Sequence, residues 1–154
     1  MAVLARWKWE NYSTDIVLGR PLPYHFNSDQ PGLHASLIKG DTLWVFGDRP
    51  APPGKKSWVL LARLHVQEKK TNRPGDPGYK YGKHGILGDR ERSAYFDPSG
   101  PDVTDVLMRL QFKSGKRIQT PRLIGNACQA LRPLTAADNR LLEDWASNLN
   151  IVAG

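Results

Sequence analysis

The sequence predicts an α+β domain, and three observations carry that expectation. Residues 57–67 alternate apolar and polar side chains, an aromatic run at 42–47 precedes them across a Pro/Gly loop, and a capped amphipathic helix stands near the end. A strand–loop–strand order of this kind favours antiparallel pairing. At 154 residues and 40% hydrophobic content, the chain is sized for one core, so residues 1–154 are read as one domain.

Each element follows from local chemistry. Residues 1–31 scatter Trp7, Trp9, Tyr12, Tyr24 and Phe26 among turn residues and read as irregular with short strands. In 31–41, Leu33, Leu37 and Ile38 share a helical face, and Gly40 suits a left-handed C-terminal cap. Residues 42–47 are rich in β-formers and read as a buried strand; the loop 48–56 stops it. In 57–67, Trp58, Leu60, Ala62, Leu64 and Val66 fall on one face. Arg63, His65 and Gln67 fall on the other, with Val59 and Leu61 before them.

Residues 68–93 read as a long polar loop with Tyr79 and Tyr81 set between glycines and cations. Loops of that length in a compact domain are usually functional or disordered. Residues 94–97 read as a short strand turned by Asp97-Pro98. Val103, Val106, Leu107 and Leu110 give helical spacing over 102–112. Residues 117–119 read as a brief strand. Residues 121–132 stay open, with Leu123, Ile124 and Leu131 as candidates for burial. In the last helix Thr135 is a natural N-cap with Asp138 three residues on, and Leu141, Leu142, Trp145 and Leu149 form one stripe. Asp138, Glu143 and Asp144 are expected to face out or complement the dipole.

Charge narrows the partners. The net charge is +7, which a polyanion would use. It is segmental: 109–132 carries Arg109, Lys113, Lys116, Arg117, Arg122 and Arg132 with no Asp or Glu, whereas 93–108 and 133–154 are net acidic. The single Cys128 can form no internal disulfide, and a reducing cytoplasm is expected. No apolar run approaches the ~18–20 residues of a membrane span. Arg6, Lys8 and Glu10 interrupt the N-terminal stretch, which is not read as a signal peptide.

No nucleophile elbow, P-loop, zinc-protease or dinucleotide motif appears, and His25, His34, His65 and His84 lack metal-ligand spacing, so no cofactor or metal is expected. Trp44, Phe46, Trp58 and Trp145 read as core. Tyr79 and Tyr81, beside Lys80 and Lys83, pair ring faces with cations, the combination that base stacking and phosphate neutralisation need; the same residues would also suit a mobile surface loop. Asn27 and Ser28 could read a base edge, or could only make a turn that caps the next helix.

The run LIKGDTLWVFGD followed by SWVLLARLHVQ resembles the PUA-like superfamily, especially its EVE and ASCH branches, over residues 24–97. The resemblance rests on a short helix, a Gly40-Asp41 turn into an aromatic strand, and Leu61-Ala62-Arg63 in the next strand. It implies a small, curved, mostly antiparallel barrel flanked by helices. EVE-like domains flip modified bases into an aromatic-walled pocket, and several occur in bacterial systems that restrict modified DNA. The loop around residues 79–92 and the Trp145 helix depart from both branches.

The expected function is a non-enzymatic reader of a modified or flipped base, with DNA ranked before RNA and a nuclease as possible partner. Tyr24, Trp44, Tyr79 and Tyr81 are the expected base-pocket walls, with Asn27 and Ser28 reading the edge. Arg63, Lys69, Lys70, Lys80, Lys83, Arg90, Arg92, Lys116, Arg117 and Arg122 are the expected phosphate contacts. The rivals are an ASCH-type hydrolase or ribonuclease using His65 with Lys69 or Asp89, and a basic protein-interaction domain.

Overall fold

A computed structural model describes residues 1–18, 24–52 and 55–152. Residues 19–23 of the expected irregular stretch, and Pro53 and Gly54 of the Pro/Gly loop, lie outside the described residues. In chain order the elements are β1 (Ala2–Arg6), α1 (Trp9–Leu18), β2 (His25–Ser28), α2 (Gly32–Ser36), β3 (Thr42–Arg49) and β4 (Ser57–Thr71). A 3-10 turn at Tyr79–Tyr81 follows, then β5 (His84–Gly88), β6 (Ala94–Phe96) and α3 (Thr104–Arg109). Another 3-10 turn at Pro121–Leu123 leads into α4 (Ile124–Ala127), β7 (Arg132–Leu134), α5 (Ala136–Ala146) and β8 (Ile151–Val152).

The fold is mixed α+β, built on an open eight-stranded sheet of order β2-β5-β4-β3-β1-β7, with β6 pairing β4 off that path and β8 pairing β6. Most pairs are antiparallel, but β1 runs parallel to β3, Leu4 opposite Trp44. Strands of such a pair are buried on both faces, and residues 42–47 of β3 are all buried. No helix among the described residues is long and apolar enough to cross a membrane.

The long strand β4 organises everything else. Its first half pairs with β3 as far as His65, and its second half pairs with β5 from Val66 to Thr71. Two bulges bend it: Leu61 is extra opposite the Val45/Phe46 step, and Gln67 is extra opposite Gly88/Leu87. A bulge re-aims side chains and increases local twist. The single apolar face expected over 58–66 therefore does not exist. Trp58 and Leu60 pack with Trp44 and Phe46 on one side, whereas Ala62, Leu64 and Val66 join Val59 and Leu61 on the other.

Each face of the sheet has its own core. The first gathers Leu4, Trp44, Phe46, Trp58 and Phe96 under α3, α4 and α5. The second gathers Val3, Leu43, Val45, Leu61 and Leu64 with Tyr12 of α1, Leu33 of α2, Phe26 of β2 and Ile86 of β5. Since β2 is four strands away from β1 in the sheet order, its presence in that core means that the sheet curls back on itself. The rings of Trp7, just past β1, and Phe26 of β2 meet at 5.3 Å, edge to face.

Other expectations are corrected. Residues 9–18 are helical, because Tyr12 and Asp15 find buried places against the sheet although the segment is poor in strong helix formers. The expected loop 68–93 instead holds the end of β4, a 3-10 turn and β5, since main-chain pairing with β5 satisfies a polar sequence. The α3 helix is shorter than 102–112: Leu110 is extended and Phe112 has φ +58°. Residues 117–119 are not a strand. Ile38 is 64% exposed while Leu33 and Leu37 are fully buried, because α2 ends at Ser36 and Leu37 is extended. Gly40, at φ +95°, is left-handed as expected, four residues beyond that end.

The α5 N-terminus follows its signature. Asp138 N–H donates to Thr135 Oγ1 at 3.0 Å, and Thr135 N–H to Asp138 Oδ2 at 3.0 Å. Asp138 complements the dipole from the first turn of α5, yet it is buried, and it also accepts from Gln111 N–H and Phe112 N–H at 2.8 Å each. One carboxylate thus caps α5 and holds the left-handed turn after α3.

Candidate functional site

A cleft of about 340 Å³ opens where the curled sheet stops short of closing. Arg6, Trp7 and Lys8 line one side at the end of β1, and residues 26–30 line the other from β2 onward. Tyr81 closes one end, and Cys128 and Gln129 just after α4 close another. The volume falls in the ~300–1,000 Å³ range of small-molecule sites. A second cavity of about 460 Å³ adjoins it, lined by Gln30, Gly32, Gln129 and Leu131 among others. Gln30 stands between the two: its amide nitrogen donates to Gln129 O, and its Oε1 accepts from Leu131 N–H at 3.1 Å.

Glycine and hydrogen bonding set the Tyr81 wall. Gly82 has φ +152°, and a Cβ there would stand 2.2 Å from the Ser28 carbonyl carbon, so only glycine lets the chain after Tyr81 lie against β2. Lys83 N–H donates to Asp29 Oδ1 at 3.0 Å, and Asn72 Nδ2 to Gly82 O at 2.8 Å. The Tyr81 hydroxyl donates to Thr14 Oγ1 of α1 at 2.7 Å, and the Lys80 ammonium lies 5.0 Å from the Tyr81 ring centroid.

The β2 wall is held from behind by a buried polar network. His25 Nε2 faces Asp15 Oδ1 at 3.0 Å; the Tyr95 hydroxyl accepts from His25 N–H at 2.8 Å, donates to His25 O at 3.2 Å and lies 3.2 Å from Nδ1. Burial pushes the Tyr95 hydroxyl well above its usual pKa, and it stays a neutral donor. Asn27 Nδ2 donates to Asp15 Oδ2 at 3.1 Å, and Asn27 Oδ1 accepts from Asn72 at 2.8 Å. Asn27 lines the cleft, but its amide is engaged on both sides; its part is to hold the wall. Ser28 Oγ accepts from Gln30 N–H at 3.1 Å, which leaves its hydroxyl proton to donate.

Two donors of the lining residues have no acceptor among the described residues. Trp7 is 2% exposed, and its Nε1 finds no hydrogen-bond partner there; nor does the buried Arg6 Nε. Leaving such a group unmade costs about 1–3 kcal/mol, and native structures contain few of them. Arg6 Nη2 donates to Asp48 Oδ1 at 3.3 Å, and its guanidinium lies 5.3 Å from the ring centroid of Trp58, a member of the first core. Burial pushes the Cys128 thiol up to about 11, against the opposing pull of Arg132 and Arg6, so it is a neutral, apolar part of the wall.

The sequence-predicted site residues separate into groups. Asn27, Ser28 and Tyr81 are brought together in the cleft. Tyr79, 39% exposed, begins the 3-10 turn that Tyr81 ends. Tyr24 lies off the cleft and packs on Tyr95, ring centroids 4.8 Å apart. Trp44 follows its core reading and is corrected as a pocket wall: it is fully buried in the first core, away from the cleft, and Nε1 donates to Asn139 Oδ1 at 2.8 Å. Arg63 shares that face and is no free phosphate contact. It donates to Glu143 Oε2 at 2.8 Å, with its guanidinium 5.9 Å from the Trp44 ring centroid.

Lys80 and Lys83 are exposed beside the Tyr81 wall. Exposed Lys69 and Lys70 lie across the sheet from Ile86 and Gly85, and Lys69 Nζ donates to His34 O at 3.0 Å. Arg90 and Arg92 are exposed in the turn between β5 and β6, and Lys116, Arg117 and Arg122 on the segment before α4. Arg6, Trp7, Lys8, Asn11, Gln30 and Gln129 were missed as cleft residues. Trp7 between Arg6 and Lys8 carried the aromatic–cation signal of residues 79–83, but nothing local says that β1 ends where β2 returns.

The histidines give no metal centre. His84 Nδ1 and His34 Nδ1 meet at 3.2 Å, but no group of three or more His, Cys, Asp and Glu could hold a metal ion among the described residues. His65 N–H donates to Ser93 Oγ at 3.0 Å, and Asp89 N–H to His65 O at 2.8 Å, so main-chain bonding links the proposed catalytic partners. No protein-family model and no curated protein matches this chain.

Proposed function

We propose that the chain is a PUA-like reader of nucleic acid that draws one base, modified or flipped, into the cleft at the open seam of its sheet. The observation that carries the reading is the cleft itself: a gap of about 340 Å³ lined by Trp7, Phe26 and Tyr81, with Lys8 in its lining and exposed Lys80 and Lys83 close to Tyr81 in the chain. The near-closure of the sheet at Trp7 and Phe26 supports the barrel half of the proposal.

The energetics are compatible. Extracting a base costs a few kcal/mol, and each aromatic contact returns roughly 1–3 kcal/mol. These lysines supply the sequence-independent attraction to phosphates. Restriction of modified DNA, with a nuclease partner, is the proposed setting. The residues of the rival hydrolase, His65 with Lys69 or Asp89, are not among those that line the cleft.

Fluorescence anisotropy with duplex and single-stranded oligonucleotides, unmodified or carrying single modified bases, tests the proposal. The expected result is affinity that depends on the identity of one base and is lost with Tyr81→Ala. Equal, salt-sensitive binding of every oligonucleotide, unchanged by that substitution, would sink the pocket.

A further inference from the structure

We infer that the cleft reads its base along the pairing edge, through the main-chain N–H and C=O of Asn27. The inference rests on the base-binding reading above and adds which bases qualify: those whose pairing edge is bare. Both walls of the cleft give consecutive residues, 26–30 on one side and 6–8 on the other. A strand face would give every second residue, so the gap runs along strand edges.

The phase of the ladder decides which main-chain groups turn to that edge. In an antiparallel pair, residues that bond to the partner strand alternate with residues whose N–H and C=O point away from it. Gly88 N–H donates to Tyr24 O at 2.7 Å. His25 N–H donates instead to the Tyr95 hydroxyl at 2.8 Å, which donates back to His25 O at 3.2 Å. Residues 24, 26 and 28 therefore bond toward β5, and Asn27 turns both groups outward with His25. Among the described residues β2 pairs with β5 alone, so the outward edge of Asn27 meets no strand. The opposite wall repeats the pattern. Ala2 and Leu4 of β1 lie opposite Leu134 and Arg132, β7 stops there, and the next residue of that phase is Arg6.

An unpaired strand edge offers a donor and an acceptor side by side. A base taken out of the stack offers the same on its pairing edge. Tyr81 closes one end of the cleft and Cys128 and Gln129 another, which suits a single ring rather than a strand running through. Asn27 is held still, because its side-chain amide is bonded to Asp15 at 3.1 Å and to Asn72 at 2.8 Å. A fixed donor–acceptor pair rejects an edge blocked by a methyl group, whereas a substituent at pyrimidine C5 lies off that edge.

The test places one base at a single unpaired position of an oligonucleotide. Thymine is compared with N3-methylthymine and with its difluorotoluene isostere, guanine with N1-methylguanine, and an abasic site gives the baseline. Anisotropy reads affinity, and amide exchange followed by NMR reads the Asn27 N–H in the whole chain. The expected result is a loss of about 10–100-fold for each altered edge, with Asn27 exchange slowed by the parent bases and not by their analogues. Analogues that bind as well as their parents, or exchange at Asn27 that ignores the parents, overturn the inference and leave the base-binding reading standing. Slowing of Asn27 by an octapeptide of alternating threonine and valine, and by no oligonucleotide, gives the edge to a strand and overturns it too. Affinity that ignores the base, abasic site included, overturns both readings.

Discussion

The Tyr81 hydroxyl donates to Thr14 Oγ1 across 67 positions of sequence, joining the turn before β5 to helix α1 at 2.7 Å. Helix and turn thereby move as one wall of the cleft. Tyr81→Phe removes the bond and keeps the ring. It should lower stability by about 0.5–1.5 kcal/mol and leave base-dependent binding nearly intact. Tyr81→Ala should cost binding roughly 1–3 kcal/mol as well. Chemical denaturation and anisotropy on the two variants separate the effects.

Gly82 and Gly115 make a matched pair. Both have positive φ, at +152° and +74°, but a Cβ at Gly82 meets the Ser28 backbone at 2.2 Å while one at Gly115 meets nothing within 4 Å. Gly115→Ala should cost about 1 kcal/mol from backbone strain alone. Gly82→Ala should exceed about 3 kcal/mol and pull the Tyr81 wall off β2. Denaturation midpoints and amide exchange of residues 25–28 and 82–85 check both.

Asp138→Ala should be among the most damaging single changes outside the apolar cores. It strips acceptors from Gln111, Phe112 and Thr135 N–H together. Hydrogen bonds to charged groups contribute about 1.5–3 kcal/mol each, so a loss of about 3 kcal/mol or more is expected in urea unfolding. Asp144→Ala, at an exposed position of the same helix, is the control.

His65 should make stability fall with acid. Burial lowers its pKa first, Arg63 and Arg92 lower it further, and Glu143 and Asp89 oppose them. A depressed folded pKa means that the unfolded chain takes up the proton first. Stability is then complete above the unfolded value of about 6.5 and declines as pH drops through the folded value. His65→Gln should flatten that decline, and Arg63→Met should raise the His65 pKa in an NMR titration. A His65 midpoint above 6.5 in the wild-type chain would reverse the sign.

Cations should divide by position. Lys80→Ala and Lys83→Ala should weaken all oligonucleotides alike and reduce the salt slope by about one unit each. Arg63→Ala should leave that slope unchanged and instead lower stability, because its guanidinium serves Glu143 and Trp44. Salt titrations beside thermal melts tell the two behaviours apart.

The sequence by itself determined elements whose cause is local. Thr135 and Asp138 write the start of α5, Gly40 writes its turn, and β-branched and aromatic runs write β3 and most of β4. It also marked Asn27, Ser28 and Tyr81 as site candidates, since rings beside cations and turn amides are visible in a window of seven residues. Only the tertiary structure decided which face each side chain serves. One extra residue at Leu61 moves Ala62, Leu64 and Val66 to the opposite core, and alternation cannot announce a bulge. The parallel pairing of β1 with β3, and the return of β2 to Trp7, join residues distant in sequence. Those contacts form because each sheet face must bury its apolar side chains, and that demand turned Trp44 inward and left Trp7 at the seam.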